Sequence, residues 1–183
     1  MLKHGKPGAQ LVPAVPRAGG YPQDALAGSV EFIGDVMTPV LGGGRRGEER
    51  RVSVLLDTHV LLFWLGEDER LSKGQARAIR AASPDSPLLV SDISLWEIAT
   101  LVNLGRIRLR RPIRDWLEAA VAPPLVRRMS ISPAIAAEVG ELPATFHRDP
   151  ADRIIVATAR SAGAAGATTD ARIIDSGLVD TIA

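Results

Sequence analysis

The run VSVLL (52–56) constrains this chain more than any other stretch, because it is rich in β-formers and apolar at all but one position. A strand with one face in water alternates polar and apolar residues. A nearly continuous apolar run instead suits a strand buried on both faces, as in a parallel sheet covered by helices. The residues that follow keep to that plan. THVLLFWLG reads as a helix and Leu71–Ala82 as a second, with Ser72 a candidate cap. PLLVS (87–91) reads as a second strand, running into the helix ISLWEIATLVNLG that ends at Gly105. Arg114–Ala122 is another helix, halted by Pro123–Pro124, and VRRMSIS (126–132) a third strand. PAIAAEVGEL and ADRIIVATARSAG read as helices, the latter closing at Gly163 as helices often close on glycine. GATT and LVDTI are two weak last strands. Strands alternating with helices imply an α/β domain, three layers deep, around a central parallel sheet.

Residues 1–51 have a different texture. They hold 10 of the 17 glycines and 5 of the 13 prolines, with no sustained helical or strand period. The expected division is a flexible Gly/Pro-rich extension over 1–51 and one folded domain over 52–183. Within the extension, GSVEFIGDV (28–36) can form one short strand, and LGGGRRGEERR (41–51) reads as a flexible charged linker. Two readings stay open: a disordered or over-long start, and residues 28–40 as an arm packing on a sheet edge or groove.

Charge excludes one class of function. Residues 1–51 carry seven Lys/Arg against five Asp/Glu, and the remainder fifteen against sixteen. A nearly neutral body does not coat nucleic acid by charge alone, so any nucleic acid is handled locally, at a site. Cysteine is absent, which rules out disulfides and thiolate chemistry. No apolar run approaches the ~20 residues that span a bilayer, and LVPAVP, twice broken by proline, makes a poor signal-peptide core. A cytoplasmic protein is expected.

Four acids stand where elements meet: Asp57 after VSVLL, Glu97 in SDISLWEIA, Asp152 in HRDPADRIIVATA, and Asp170 closing GATTD. In parallel sheets ligands bind at the carboxyl ends of the strands, so these positions are expected to converge at one edge. Carboxylates are costly to bury together unless a proton or cation neutralises them. An all-oxygen donor set without cysteine points to a hard divalent metal. Each acid also has a structural explanation. Asp57 suits an N-cap. Ser94-Leu-Trp-Glu97 fits the capping box. Asp149-Pro150-Ala151-Asp152 has the pattern of a helix start, with Asp149 favoured as its cap, and Asp170 suits a turn.

Taken in order, LLDTHVLLFW, SDISLWEIATLVNLGRIRL, HRDPADRIIVATA and TTD resemble the PIN-domain ribonucleases of the VapC type, the toxins of bacterial toxin–antitoxin pairs. The resemblance covers about 52–183. It implies a Mg²⁺- or Mn²⁺-dependent endoribonuclease of α/β/α fold, with RNA as substrate and a cognate antitoxin as partner. Asp57, Glu97, Asp152 and Asp170 fall on the family's four catalytic, metal-binding acids, and Thr168 on the polar residue that accompanies the last. The fourth block departs from the pattern: AGAAGATT is small and poor in β-formers where such proteins have a strongly apolar strand. The extension lies outside the pattern, although GSVEFIGDVMTP is similar to an antitoxin's C-terminal arm.

Other signals are weaker. Arg106, Arg108, Arg110, Arg111 and Arg114 read as a solvated face, with phosphate contact as the alternative. His59 and His147 are not assigned to catalysis. Trp64, Trp96 and Trp116 are expected in the core or at a subunit interface, which allows a homodimer. Two rivals to the nuclease remain: a non-catalytic PIN-like module that binds RNA or a partner protein, and a phosphate-ester hydrolase for small molecules.

Overall fold

The computed structural model describes residues 20–34 and 53–183. Five strands form one parallel sheet: β2 (Val54–Leu56), β3 (Leu88–Ser91), β5 (Val126–Met129), β6 (Ala165–Ala167) and β7 (Thr181–Ile182), in the spatial order β5-β3-β2-β6-β7. The chain builds outward from β2 to β3 and β5, then crosses back to add β6 and β7 on the other side of β2. The strand order therefore reverses around β2, and the loops after β2 and β6 diverge from a shared edge. That is where ligands sit in open α/β sheets.

Adjacent residues of the buried strands feed opposite layers. Leu56 and Val90 pack with Val60, Leu61, Ile98 and Trp116 on one face, whereas Leu55 and Leu89 pack with Ile155 and Ala159 on the other. The first layer holds α1 (Thr58–Gly66), α3 (Asp92–Asn103) and α4 (Ile113–Ala120); the second holds α6 (Pro150–Ala162). The expected three-layer α/β/α architecture is the one observed. The helix expected over 71–82 forms as α2 (Lys73–Arg80), with Ser72 capping Gln75 N and Gln75 returning a bond to Ser72 N. The helix expected in PAIAAEVGEL is α5 (Pro133–Glu141), and α6 closes at Gly163 with φ 58°.

Weak β-formers do not unseat β6. Its three residues are buried and paired on both sides, with Leu56 opposite Ala167 on β2 and Ile182 opposite Ala167 on β7. Gly166 lies against Val179, where a Cβ would make an ordinary contact with Cγ2 at 3.7 Å. Tertiary pairing overrides propensity here.

Residues 20–34 correct the expectation of a flexible extension. Pro22–Leu26 forms a 3-10 turn, with Leu26 fully buried in the main core, and β1 (Val30–Phe32) pairs antiparallel with β4 (Ile107–Leu109). Gln23 Nε2 donates to the carbonyls of Ala119, Ala120 and Ala122 at the end of α4, and Trp116 Nε1 donates to Ser29 Oγ at 2.7 Å. Gly66 is where β1 crosses the end of α1: a Cβ there would meet Val30 Cβ at 3.3 Å. The arm expected over 28–40 is seen packed over its described residues, 28–34, and the packing of 20–27 goes beyond it. The linker over 41–51, the rest of the extension and Val52 lie outside the described residues.

Strand β4 also revises the arginine run. Ile107 is buried, Arg108 points to solvent and pairs with Glu31 at 3.3 Å, and Leu109 is half-buried. Of the three tryptophans, Trp116 is a core residue and Trp64 packs against the core, but Trp96 is 62% exposed. No helix among the described residues is long and apolar enough to cross a membrane.

Candidate active site

Parallel pairing of β2 with β6 brings the first acid, Asp57, to the loop that carries the last, Asp170. Leu56 lies opposite Ala167, Asp57 N donates to Ala167 O, and one residue on, Thr168 Oγ1 donates to Asp57 Oδ2 at 2.6 Å. Asp57 occupies the N-cap position of α1, yet its side chain caps nothing. It is instead buried at the edge of the sheet, facing Thr168. Thr168 Oγ1 also accepts from Asp170 N at 3.0 Å, so one hydroxyl ties the loop after β6 to the end of β2. From the far side Gln75 Nε2, fully buried, donates to Thr168 O and Ile182 O and fixes the same loop.

Glu97 is not a capping-box residue. Helix α3 begins at Asp92 with Ser91 in the N-cap position, which puts Ser94 inside the first turn, buried, with its Oγ unbonded. Glu97 lies further along α3 and accepts a hydrogen bond from Thr58 Oγ1 of α1 at 2.5 Å. Burial, together with the negative charges of Asp57 and Asp149, pushes its carboxyl up to about 7 against the pull of the Thr58 hydroxyl.

The third and fourth acids share a cation. Asp149 caps α6 as expected, accepting from Ala151 N and Asp152 N, and this sets Asp152 in the first turn, facing the site. Burial raises Asp152 to about 8, reinforced by Asp57, Asp149 and Asp170, with Arg172 pulling the other way. Asp170 caps α7 (Ala171–Ser176) through Arg172 N. Burial pushes its carboxyl up, but hydrogen bonds from Arg172 outweigh that and hold it below its ordinary value. Arg172 Nη2 reaches both acids, Asp170 Oδ2 at 2.5 Å and Asp152 Oδ2 at 3.3 Å. His147 Nε2 lies 3.5 Å from the same Asp152 oxygen. Burial and Arg172 lower the imidazole's pKa and favour its neutral form.

All four sequence-predicted acids thus lie on one edge, with Asp57 and Asp149 raising Glu97, and Asp57, Asp149 and Asp170 raising Asp152. They do not converge on a point: among the described residues, no three acidic or histidine side chains are placed to hold one ion. Each carboxylate is turned to a local partner instead, Thr168 for Asp57, Thr58 for Glu97, and Arg172 for Asp152 and Asp170. By chemistry the donor set fits a hard divalent cation, being oxygen-only and, at Glu97 and Asp152, shielded from water and crowded by other carboxylates. His59 packs against Phe63, at 6.3 Å between ring centroids.

Several residues at the site carried no sequence signal. Arg172 and Gln75 are such cases, and so is Arg153, whose guanidinium donates to the carbonyls of Val139, Leu142, Phe146 and His147 and holds the loop before α6. Thr58 adjoins Asp57 in the family-like string, but its bond to Glu97 spans 39 residues.

Comparison with known proteins agrees with this architecture. Residues 54–176 match the family model described as PIN domain. The chain is 40% identical over 121 residues to Ribonuclease VapC22 of Mycobacterium tuberculosis (strain ATCC 25618 / H37Rv), covering 66% of this chain and 89% of that protein. Among solved structures, VapBC2 from Rickettsia felis, bound to a promoter DNA fragment, aligns with a TM-score of 0.52 at 12% identity, over 70% of this chain and 96% of the other. VapC20 of Mycobacterium tuberculosis, a Sarcin-Ricin loop cleaving toxin, aligns with a TM-score of 0.50 at 20% identity, over 72% of this chain and all of the other. At those identities the two structures speak to the fold alone. With the sequence match spanning β2 to α7 and the four acids set around its switch point, the chain belongs to the PIN-domain family, in its VapC-type branch.

Proposed function

We propose that this chain is the toxin of a type II toxin–antitoxin pair, an endoribonuclease that hydrolyses RNA phosphodiester bonds with Mg²⁺ or Mn²⁺ and is held in check by a cognate antitoxin protein. The observation that carries the reading is the shared edge of acids, where burial and neighbouring carboxylates push Glu97 and Asp152 to about 7 and about 8. Asp57, Glu97 and Asp152 would hold the ion, with Asp170 assisting. Such an ion activates water for attack and offsets charge on the scissile phosphate.

The chain's own residues prepare that chemistry. Thr168 and the β2–β6 ladder fix the orientation of Asp57. Asp149 and Pro150 start α6 where Asp152 faces Asp57 rather than solvent. Glu97 and Asp152 hold protons near neutral pH and release them when positive charge arrives. Arg172 partly neutralises Asp152 and Asp170, and its exposed guanidinium is free to turn toward a phosphate once a cation takes its place. The 40% identity to a protein named a ribonuclease supports RNA as substrate.

Purified protein incubated with RNA and with mononucleotide esters tests this reading. Cleavage of RNA alone, abolished by EDTA and restored by Mn²⁺, is the expected result. Hydrolysis of the esters but not RNA would point to the small-molecule hydrolase. Expression in cells should arrest growth, with rescue by a small protein encoded next to this chain.

A further inference from the structure

Beside the acids lies a cleft of about 300 Å³ whose wall includes His147 and Arg172. These are the two residues that reach Asp152 Oδ2, at 3.5 and 3.3 Å. The cleft and the acid edge are therefore neighbours with a common wall, and a nucleotide whose phosphate lies at Asp152 has its base within reach of the cleft. The volume stands at the lower end for small-molecule sites, enough for one base and its sugar but not two stacked nucleotides. Phe146 and Leu178 supply apolar lining, and the Phe146 ring lies 4.3 Å from that of His147.

Three polar side chains of the lining make no hydrogen bond among the described residues: His147, both of whose ring nitrogens are buried and unpaired, Thr145 and Asp175. Thr145 and Asp175 are exposed. An ionised carboxylate only accepts hydrogen bonds, whereas a hydroxyl can donate. Guanine presents two adjacent donors, N1–H and N2–H₂, next to the acceptor O6. Adenine offers a carboxylate only N6–H₂, with the N1 acceptor beside it, and uracil only N3–H between two carbonyls, so each makes one bond to the carboxylate where guanine makes two.

We propose that this cleft is a nucleobase subsite for guanine flanking the scissile bond, with Asp175 accepting from N1–H and N2–H₂ and Thr145 donating to O6. The assignment rests on the ribonuclease reading and gives it a base preference. Unpaired bases are recognised in this way, by packing against rings and by hydrogen bonds to the Watson–Crick edge.

The test uses the full chain and short RNAs differing at one position beside the cleavage site. Guanine there should be cleaved about tenfold or more faster than adenine or an abasic nucleotide. Asp175→Asn should bring the guanine-to-adenine ratio close to one. Equal cleavage of the guanine and abasic RNAs would overturn the proposal, and so would an unchanged ratio in Asp175→Asn. NMR titration with GMP and AMP, without metal, keeps the question separate from catalysis. Shifts at Thr145 and Asp175 with GMP alone would support the subsite even if no RNA is cleaved, which would sink only the nuclease reading. Equal or absent shifts with the two nucleotides would overturn the subsite.

Discussion

Thr168 Oγ1 sits 2.6 Å from Asp57 Oδ2 across two parallel strands and is the direct link between the first acid and the loop that carries the last. The same oxygen accepts from Asp170 N, so Thr168→Val removes a donor and an acceptor together from a buried place. The expected loss is about 1–3 kcal/mol of stability, read by urea unfolding, with Mn²⁺ binding weakened as well. Thr168→Ser should be nearly silent.

Glu97→Gln should be folded and at least as stable as the parent, because burial opposes the charge that the substitution removes and Gln can still accept from Thr58. Thermal unfolding checks this. Weaker Mn²⁺ binding and little RNA cleavage should accompany the intact fold. Full cleavage at limiting Mn²⁺ would leave a three-acid site.

Stability without metal should fall as pH rises. Glu97 and Asp152, with pKa values raised to about 7 and about 8, keep protons that the unfolded chain gives up near pH 4. The folded state binds more protons in that window, so its advantage is complete below about pH 4 and is lost by about pH 8. Melting temperature in EDTA should decline between pH 5 and 8, and Asp152→Asn should flatten the decline. Arg172→Gln should steepen it, since Arg172 holds Asp152 down. Added Mn²⁺ should stabilise more at pH 8 than at pH 5.5.

The arm over 20–34 should matter to folding. Leu26 is fully buried in the main core, and Leu26→Ala should cost about 2–5 kcal/mol in urea unfolding. Removing residues 1–29 should cost more, because it also strips Ser29 from the buried indole N–H of Trp116. Truncation that left the unfolding midpoint unchanged would mean that the arm contributes nothing in solution.

What the sequence made legible was local. The acids could be read because each adjoins an apolar run whose period declares a strand or a helix. Asp149 as a cap and Gly163 as a stop followed from residue types at fixed spacing. Glu97 was ambiguous because Ser94 sits three residues before it, and only the observed start of α3 at Asp92 separates a cap from a site residue. What escaped was long-range. Gln75 meets Thr168 across 93 residues, and Gln23 meets Ala119 across 96. Nothing in a linear pattern marks such partners. Strand β4 did leave a trace, in the alternation of Ile107, Arg108 and Leu109, but the density of arginines around it reads first as a charged surface.

If the acids at the switch point bind a divalent ion for RNA cleavage, Asp57→Asn takes away part of the charge that holds it. The substitution keeps shape and an acceptor for Thr168 while removing one charge. RNA cleavage by wild type and variant should be followed in Mn²⁺, with thermal unfolding as the control for folding. A folded Asp57→Asn that cleaves at least 100-fold more slowly, roughly what loss of a key electrostatic group costs, is the predicted result. A folded variant that cleaves at the wild-type rate would contradict the account.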